Sequence, residues 1–148
     1  MRKKNKTDKS APEVLKLTRR MTTLFRDRLE DQLRPLGITA AQLQLLAALA
    51  KEPGTSGAHI SRFCQVTPQT THALLAAAED RGWIQRSPHP ENARTLLATL
   101  TPQGMRVFLR GKALALRLQS RMLHTLTAAE VAHLEATLSQ LIENLEYP

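Results

Sequence analysis

The chain contains few of the residues on which several classes of protein depend. Its 148 residues include one cysteine and only 3% aromatic residues. A single cysteine, Cys64, cannot form an internal disulfide and is typical of a reducing cytoplasm. No apolar run approaches the roughly 18 residues of a membrane span, and the basic N-terminus lacks an apolar signal core. These absences predict a cytoplasmic protein with neither a membrane segment nor an export signal.

Patterns typical of catalytic and metal sites are also missing. The sequence has no Ser-His-Asp order, glycine-rich phosphate loop or carboxylate pair, so we expect no enzyme and no cofactor. Its five histidines lack paired ligand spacing, and Glu130 with His133 one turn later is weak evidence for a ligand pair. We therefore predict no metal. Scarce aromatic residues also argue against binding of single strands or RNA, which uses exposed rings for base stacking.

Positive charge is in excess and is unevenly distributed. The net charge is +8 and the isoelectric point is near 10.4, which favours a polyanionic partner. Residues 1–10 hold five bases and one acid, whereas residues 127–148 hold four acids and no lysine or arginine. Segment 1–10 is predicted to be a disordered basic tail. It is either a solubilising leader or an accessory arm for DNA phosphates.

Capping residues, prolines and glycines divide the chain into predicted elements. Helices are predicted over approximately residues 12–33, 40–50, 58–64, 68–81, 102–126 and 128–145. Two short apolar segments, 83–87 and 95–100, flank the turn-forming PHPENA and predict a hairpin with a long tip. The fold class is therefore mainly α, of the α+β winged-helix kind.

Apolar stripes with heptad-like spacing run along the helices at both ends of the chain. They comprise Leu17, Met21 and Leu24 near the N-terminus and Val131, Leu134, Leu138, Leu141 and Leu145 near the C-terminus. A helix that keeps such a stripe over several turns needs a partner helix. We predict that these stripes pair with those of a second copy, and a monomeric bundle is the alternative.

Residues 58–100 have the layout of a winged helix-turn-helix. The N-terminus of its second helix would project into a DNA major groove. Gln69 suits adenine there, and Thr70 suits a thymine methyl group. The predicted base-reading residues on this helix are Pro68, Gln69, Thr70, His72 and Ala73. The predicted phosphate contacts around it are Ser56, His59, Arg62, Arg81 and Arg86. The residues predicted to lock the two helices together are Ile60, Cys64, Val66, Thr71, Leu74, Leu75 and Ala78.

This chain resembles the MarR family of bacterial winged-helix transcription regulators. The resemblance is carried by LGITAAQLQLLAAL (36–49) and ISRFCQVTPQTTHALLAAAEDRGWIQRS (60–87). A third segment, HPENARTLLATLTPQG (89–104), matches the family's wing, and its most specific part is the wing-to-helix junction from Arg94 to Gly104. It covers roughly residues 12–145, in the family's order of elements.

The resemblance implies how the chain is organised. After the tail, residues 11–38 would form an N-terminal dimerisation helix, 39–101 the winged helix-turn-helix DNA-binding domain and 102–148 the C-terminal dimerisation helices. The implied function is a homodimeric, sequence-specific repressor that binds an inverted-repeat operator in double-stranded DNA. Arg94, in the wing, would then enter the minor groove, where narrow A·T-rich DNA concentrates negative potential.

The resemblance also implies regulation and location. Many members of the family release DNA when a small aromatic or phenolic effector lodges between their dimerisation and DNA-binding parts, and the lining residues are left open here. A cytoplasmic, nucleoid-associated protein without membrane contact is expected. Cys64 aligns with a buried position of the helix-turn-helix, which favours inert packing over redox sensing.

Three features depart from the family's pattern. Asn92 stands where the wing is often acidic, Ala73 and Ala77 stand where the recognition helix is often basic, and Gln65 replaces a small turn residue. They keep a second function open: a winged-helix protein–protein interaction module, or an antirepressor, with weak or non-specific DNA binding. A general architectural DNA binder that depends on the basic tail is a third.

Overall fold

A computed structural model describes residues 11–147, and the predicted basic tail lies outside them. The described residues form helices and short strands in one continuous order. These are α1 (Ala11–Leu33), α2 (Ala40–Lys51), β1 (Thr55–Ser56), α3 (Gly57–Cys64), α4 (Pro68–Asp80), β2 (Ile84–His89), β3 (Asn92–Leu100), α5 (Pro102–Leu123) and α6 (Ala128–Glu146). A 3-10 turn, Arg34–Leu36, joins α1 to α2. The predicted class, mainly α with a small sheet, is confirmed.

Hydroxyl side chains begin four of these helices. Thr39 and Thr127 each accept a hydrogen bond from a backbone amide three residues later, and both capping boxes are complete. Thr67 caps α4 in the same way, with Pro68 in its first turn, and Ser56 caps α3. Each such cap contributes about 1 kcal/mol. The starts of these helices therefore follow from short-range sequence.

Left-handed residues end α3 and α4 at sharp turns. Gly82 has φ +68 after α4, and the Trp83 amide donates to the Ala78 carbonyl at 2.9 Å. Glycine adopts this conformation without steric cost, as the sequence predicts. Gln65, between α3 and α4, has φ 53 and is the non-glycine residue with positive φ in the described chain. The departure from a small turn residue is therefore accommodated in the backbone.

The sheet is antiparallel, with strand order β1-β3-β2. β1 was not predicted, because two residues are too few for a periodic pattern; it pairs Thr55 with Ala98 of β3. The predicted long hairpin tip is wrong. Strand β2 continues to His89 and β3 begins at Asn92, with an irregularity in register between Pro88 and His89. Proline fits there because β2 is an edge strand.

The described chain divides into two compact units, the first ending at Ala115 and the second beginning at Leu116. Helix α2 lies in the core of the first unit, where Leu45, Leu46 and Leu49 are fully buried. Helix α5 passes close to this core at Gly111, where an added Cβ would lie 2.7 Å from Leu43 Cδ1. The second unit comprises the end of α5 and α6, a helix without a buried residue.

No single helix of the described chain is long and apolar enough to cross a membrane. One pair, Glu13–Leu36 with Ala40–Lys51, reaches that length and composition only when taken together, and it is bent by 81°.

Candidate nucleic-acid interface

Helices α3 and α4 pack through buried apolar side chains that surround one pair of hydroxyl groups. Five of the seven residues predicted to lock them are buried, and Val66 and Leu74 are half-buried. The buried centre also contains Ser61, which the sequence analysis missed. Its hydroxyl lies 2.8 Å from the Thr71 hydroxyl and 2.9 Å from the Gly57 carbonyl oxygen. Ser61 could have been found from its place one turn before the Gln65 turn, on the core side of α3.

The first turns of α4 present the predicted base-reading residues to solvent. Pro68, Gln69, Thr70, His72 and Ala73 are all exposed. Gln69 and His72 lie three residues apart and therefore share one face of the helix. The Thr70 hydroxyl lies 2.9 Å from that of the Thr67 cap, so it already has a partner within the chain. Gln69 and His72 are consequently the freest hydrogen-bonding groups of this surface.

A groove of about 440 Å³ lies between α3 and the β2–β3 hairpin, which forms the wing. Three predicted phosphate contacts line it together: Ser56, His59 and Arg62. The wing supplies His89 and Asn92 from the opposite side, and neither was predicted as a contact. The groove residues, Gly54, Thr55, Ser56, His59, Arg62, His89, Asn92, Thr95 and Leu97, include no acid. Guanidinium, imidazole and hydroxyl donors in one groove suit a phosphate backbone.

One carboxylate borders this groove. Glu52, the residue that ends α2, has its Oε2 atom 2.8 Å from Nε2 of His59. Both side chains are partly exposed, so the contact is a surface pair of small energetic value.

Arg94 is exposed near the tip of the wing. The side chain of Asn92 accepts a hydrogen bond from the Arg94 backbone amide at 3.2 Å. His89 Nδ1 similarly accepts from the Glu91 amide at 3.1 Å. No ion pair within residues 11–147 involves Arg94. Asn92 therefore shapes the backbone of the tip, and the Arg94 guanidinium has no carboxylate partner among residues 11–147.

Arg81 and Arg86 have partners elsewhere in the chain. Arg86 forms an ion pair with Glu79, and this hydrogen bond lowers the pKa of the Glu79 carboxyl below its ordinary value. Arg81 donates to the carbonyl oxygen of Gly37 and lies 4.8 Å from the centre of the Trp83 ring. Neither arginine lines the groove beside the wing. Their predicted role as phosphate contacts stays a prediction, and each already has a partner within the described chain.

The apolar stripes predicted for dimerisation are largely uncovered. On α1, Leu17, Met21 and Leu24 are between 41% and 54% exposed. On α6, Leu134, Leu141 and Leu145 are exposed, whereas Val131 and Leu138 are half-buried. Rows of exposed leucines on a helix are typical of a surface that another helix covers.

Cys64 and the metal-ligating residue types form no reactive site in the described chain. Cys64 is buried, and burial raises the pKa of its thiol, which disfavours the reactive thiolate. No group of three His, Cys, Asp or Glu residues among residues 11–147 has a geometry that could hold a metal ion.

A second cavity, of about 490 Å³, lies in the first unit among α2, α3 and α5. Its apolar wall is flanked by two lysines that lie near aromatic rings. The Lys51 ammonium is 5.3 Å from the centre of the Phe63 ring, and that of Lys112 is 5.7 Å from Phe108. The lining residues are Leu43, Ala47, Ala50, Lys51, Phe63, Phe108, Lys112 and Ala115. An aromatic ring with a carboxylate fits this combination of rings and ammonium groups.

Known proteins share this architecture. A sequence profile described as MarR family matches residues 36–95. The HTH-type transcriptional repressor Rv2887 of Mycobacterium tuberculosis is 32% identical over 122 residues, which is 82% of this chain and 88% of that protein. The crystal structure of a mutant MarR from E. coli complexed with operator DNA has a TM-score of 0.80 and 26% identity, covering 87% of this chain and 93% of that one. Rv2887 in complex with salicylic acid has a TM-score of 0.68 and 32% identity, covering 84% and 93%.

Proposed function

The chain belongs to the MarR family of winged-helix, DNA-binding transcription regulators, a non-enzymatic family, and from this premise we propose that it represses transcription as a homodimer bound to an inverted-repeat operator. One observation carries the proposal: Ser56, His59 and Arg62 line a single acid-free groove with the wing. The exposed start of α4 supplies base-reading groups beside the same helix-turn-helix. Its place would be in the cytoplasm, at the nucleoid.

In this proposal α4 enters the major groove and the wing follows the adjacent minor groove. Gln69 contacts an adenine edge, and His72 donates to a guanine or a phosphate. Pro68, Thr70 and Ala73 make the closest van der Waals contacts, with Thr70 or Ala73 against a thymine methyl group. Arg94 enters the minor groove. Ser56, His59 and Arg62 contact phosphates, so the affinity falls steeply as salt rises.

The exposed stripes of α1 and α6 form the proposed interface between the two copies. Residues 11–38 and 102–148 would serve dimerisation, and 39–101 would serve DNA binding. The two α4 helices would then lie about one duplex turn (≈ 34 Å) apart on one side of the DNA.

We also propose that an aromatic carboxylate regulates the protein through the cavity between α2, α3 and α5. A carboxylate would contact Lys51 and Lys112 while its ring packs on Phe63 and Phe108. The complex of Rv2887 with salicylic acid supports this chemical class. Salicylate should release DNA from the wild type, and replacing both cavity lysines with methionine should raise the concentration required. Lys16→Met, which removes an exposed lysine from α1, is the matched control.

Selection from random double-stranded DNA with the purified protein tests the central proposal. Recovery of an inverted repeat supports a sequence-specific repressor. Salt-sensitive retention without sequence preference would favour the interaction module or antirepressor instead. Loss of all binding after deletion of residues 1–10 would favour an architectural binder that depends on the basic tail.

Arg94→Ala tests the role of the wing. The affinity for the selected operator should fall about tenfold or more, since one good arginine contact discriminates by about 1–3 kcal/mol. Arg34→Ala removes the same charge from the α1–α2 connection and should leave the affinity within about twofold, as expected of a surface ion pair. Wild-type affinity of the Arg94 variant would remove this residue from the interface. Gln69→Ala should relax the preference at one base pair in each half-site.

A further inference from the structure

The end of α4, the α1–α2 connection and the start of α5 meet around Trp83. Arg81 follows the last turn of α4, and its guanidinium both donates to the Gly37 carbonyl and covers the Trp83 ring. From the other side, the Thr101 hydroxyl donates to the Gly82 carbonyl at 2.6 Å and accepts from the Gly104 amide at 3.0 Å. A Cβ at Gly104 would collide with the Trp83 carbonyl oxygen. This junction thus joins α4 to the α1–α2 connection and to the start of α5.

Arg81 provides the link between α4 and the α1–α2 connection. It is exposed, yet it reaches across 44 residues of sequence to a backbone carbonyl. Gly37 presents that carbonyl from a left-handed conformation with φ +67, and a side chain added there would begin 3.5 Å from the guanidinium. Arginine suits this link because its planar group can stack on the indole and donate at its edge at the same time.

The link lies at the opposite end of α4 from the proposed base-reading residues, so a small rotation there would move those residues appreciably. Helix α4 has 13 residues and is therefore about 20 Å long. A rotation of about 10° at its C-terminal end would move its N-terminal end by about 3.5 Å, close to one base-pair step. A rotation of this size would therefore shift Gln69 along the duplex by about one step.

We propose that Arg81 is a positioning residue that fixes the recognition helix α4 to the α1–α2 connection and thereby sets the spacing of half-sites that the dimer accepts. The proposal rests on the proposed function, because it requires two copies joined through α1 on one operator. Without the link each copy still binds a half-site, but the distance between the two recognition helices is no longer held at one value.

The test measures the spacing preference of an Arg81→Met variant. The operator selected by the wild type is synthesised with its half-sites at the native spacing and moved one or two base pairs closer or farther, together with a single half-site. The wild type should prefer one spacing. Arg81→Met should lose about tenfold in affinity at that spacing, bind all spacings nearly equally, and keep its single half-site affinity within about twofold.

Arg34→Met is the matched control, because Arg34 lies on the same connection and forms its ion pair with Asp31 at the end of α1, not with α4. It should keep the wild-type preference. Trp83, the only tryptophan of the chain, reports the link directly, since its emission should change in Arg81→Met and not in the control. Thermal unfolding shows whether each variant is folded. If the methionine variant is not, Arg81→Leu, which also removes both the donor and the charge, decides by the same criterion.

The outcomes separate this proposal from the others. A folded variant that retains the wild-type spacing preference overturns it. An equal loss at every spacing and on the single half-site would also overturn it, because that result identifies Arg81 as a phosphate contact. If the wild type selects no inverted repeat at all, the proposed function fails and the positioning role fails with it. If the wild type selects an inverted repeat and Arg81→Met keeps the wild-type spacing preference, only the positioning role is rejected.

Discussion

The hydroxyl pair between α3 and α4 gives the sharpest prediction for the stability of the helix-turn-helix. Ser61 and Thr71 are 8% and 1% exposed, and their oxygens are 2.8 Å apart. In Thr71→Val the shape is kept, and Ser61 retains the Gly57 carbonyl as a partner. We expect a loss of about 1 kcal/mol in the free energy of unfolding, the net value of one hydrogen bond.

Removing the other hydroxyl of the pair, in Ser61→Ala, should lower the free energy of unfolding further. In Ser61→Ala the Thr71 hydroxyl stays buried and has no other hydrogen-bond partner among the described residues. An unsatisfied buried hydroxyl costs about 1–3 kcal/mol, so we expect a loss of about 2 kcal/mol. The double variant should be little worse than Ser61→Ala alone, because the second change removes the unsatisfied group. The coupling energy should therefore be about 1 kcal/mol.

Urea or thermal unfolding at one fixed protein concentration measures this cycle, since the stability of a dimer depends on concentration. About 2–4 °C of melting temperature is expected for each kcal/mol in a protein of this size. Thr22→Val, which removes an exposed hydroxyl from α1, is the control and should change stability by less than about 0.5 kcal/mol. Additive losses in the free energy of unfolding, or a larger loss for Thr71→Val than for Ser61→Ala, would refute the assignment of the pair as a buried hydrogen bond that stabilises the contact between α3 and α4.

Three further predictions concern charge and assembly. Glu52→Gln frees the α3 histidine beside the groove and should strengthen DNA binding up to about fivefold in low salt, by fluorescence anisotropy; unchanged affinity would contradict this. Leu17→Glu should give a monomer by light scattering, whereas Leu15→Glu, two residues away on the opposite side of α1, should remain a dimer; the reverse pattern would place the interface elsewhere. The hydrogen bond from Arg86 lowers the pKa of Glu79 in the folded state. The Arg86–Glu79 pair therefore stabilises the protein above the pKa of an unfolded glutamate, and this stabilisation is lost as pH falls through the folded-state pKa of Glu79. Arg86→Met should therefore lower the melting temperature at neutral pH and have little effect in acid, and an equal effect at both would refute it.

Much of the helical framework is predictable from short stretches of sequence. The caps at Thr39, Thr67 and Thr127 and the break at Gly82 set helix boundaries through hydrogen bonds that span five residues or fewer. The family membership predicted from the sequence is confirmed by the profile match over residues 36–95 and by the similarity to Rv2887. Exposure of the first turns of α4 follows from the same short-range pattern.

Other features depend on contacts between residues far apart in the chain. The two-residue strand β1 exists only because β3 pairs with it, and β3 also extends the hairpin beyond its expected limits. His89 joins the groove only when the wing folds towards α3. Lys51 and Lys112 come to one cavity only when α5 packs against α2.

The two arginines after α4 show most directly what residue type leaves open. An exposed arginine near a DNA-binding helix suits a phosphate contact by residue type alone, and Arg81 and Arg86 were predicted as such. In the fold one covers Trp83 and binds the Gly37 carbonyl, and the other pairs with Glu79. Residue type and helical period determine which groups a segment can offer, whereas the partner of a long charged side chain is determined by the distances that packing creates.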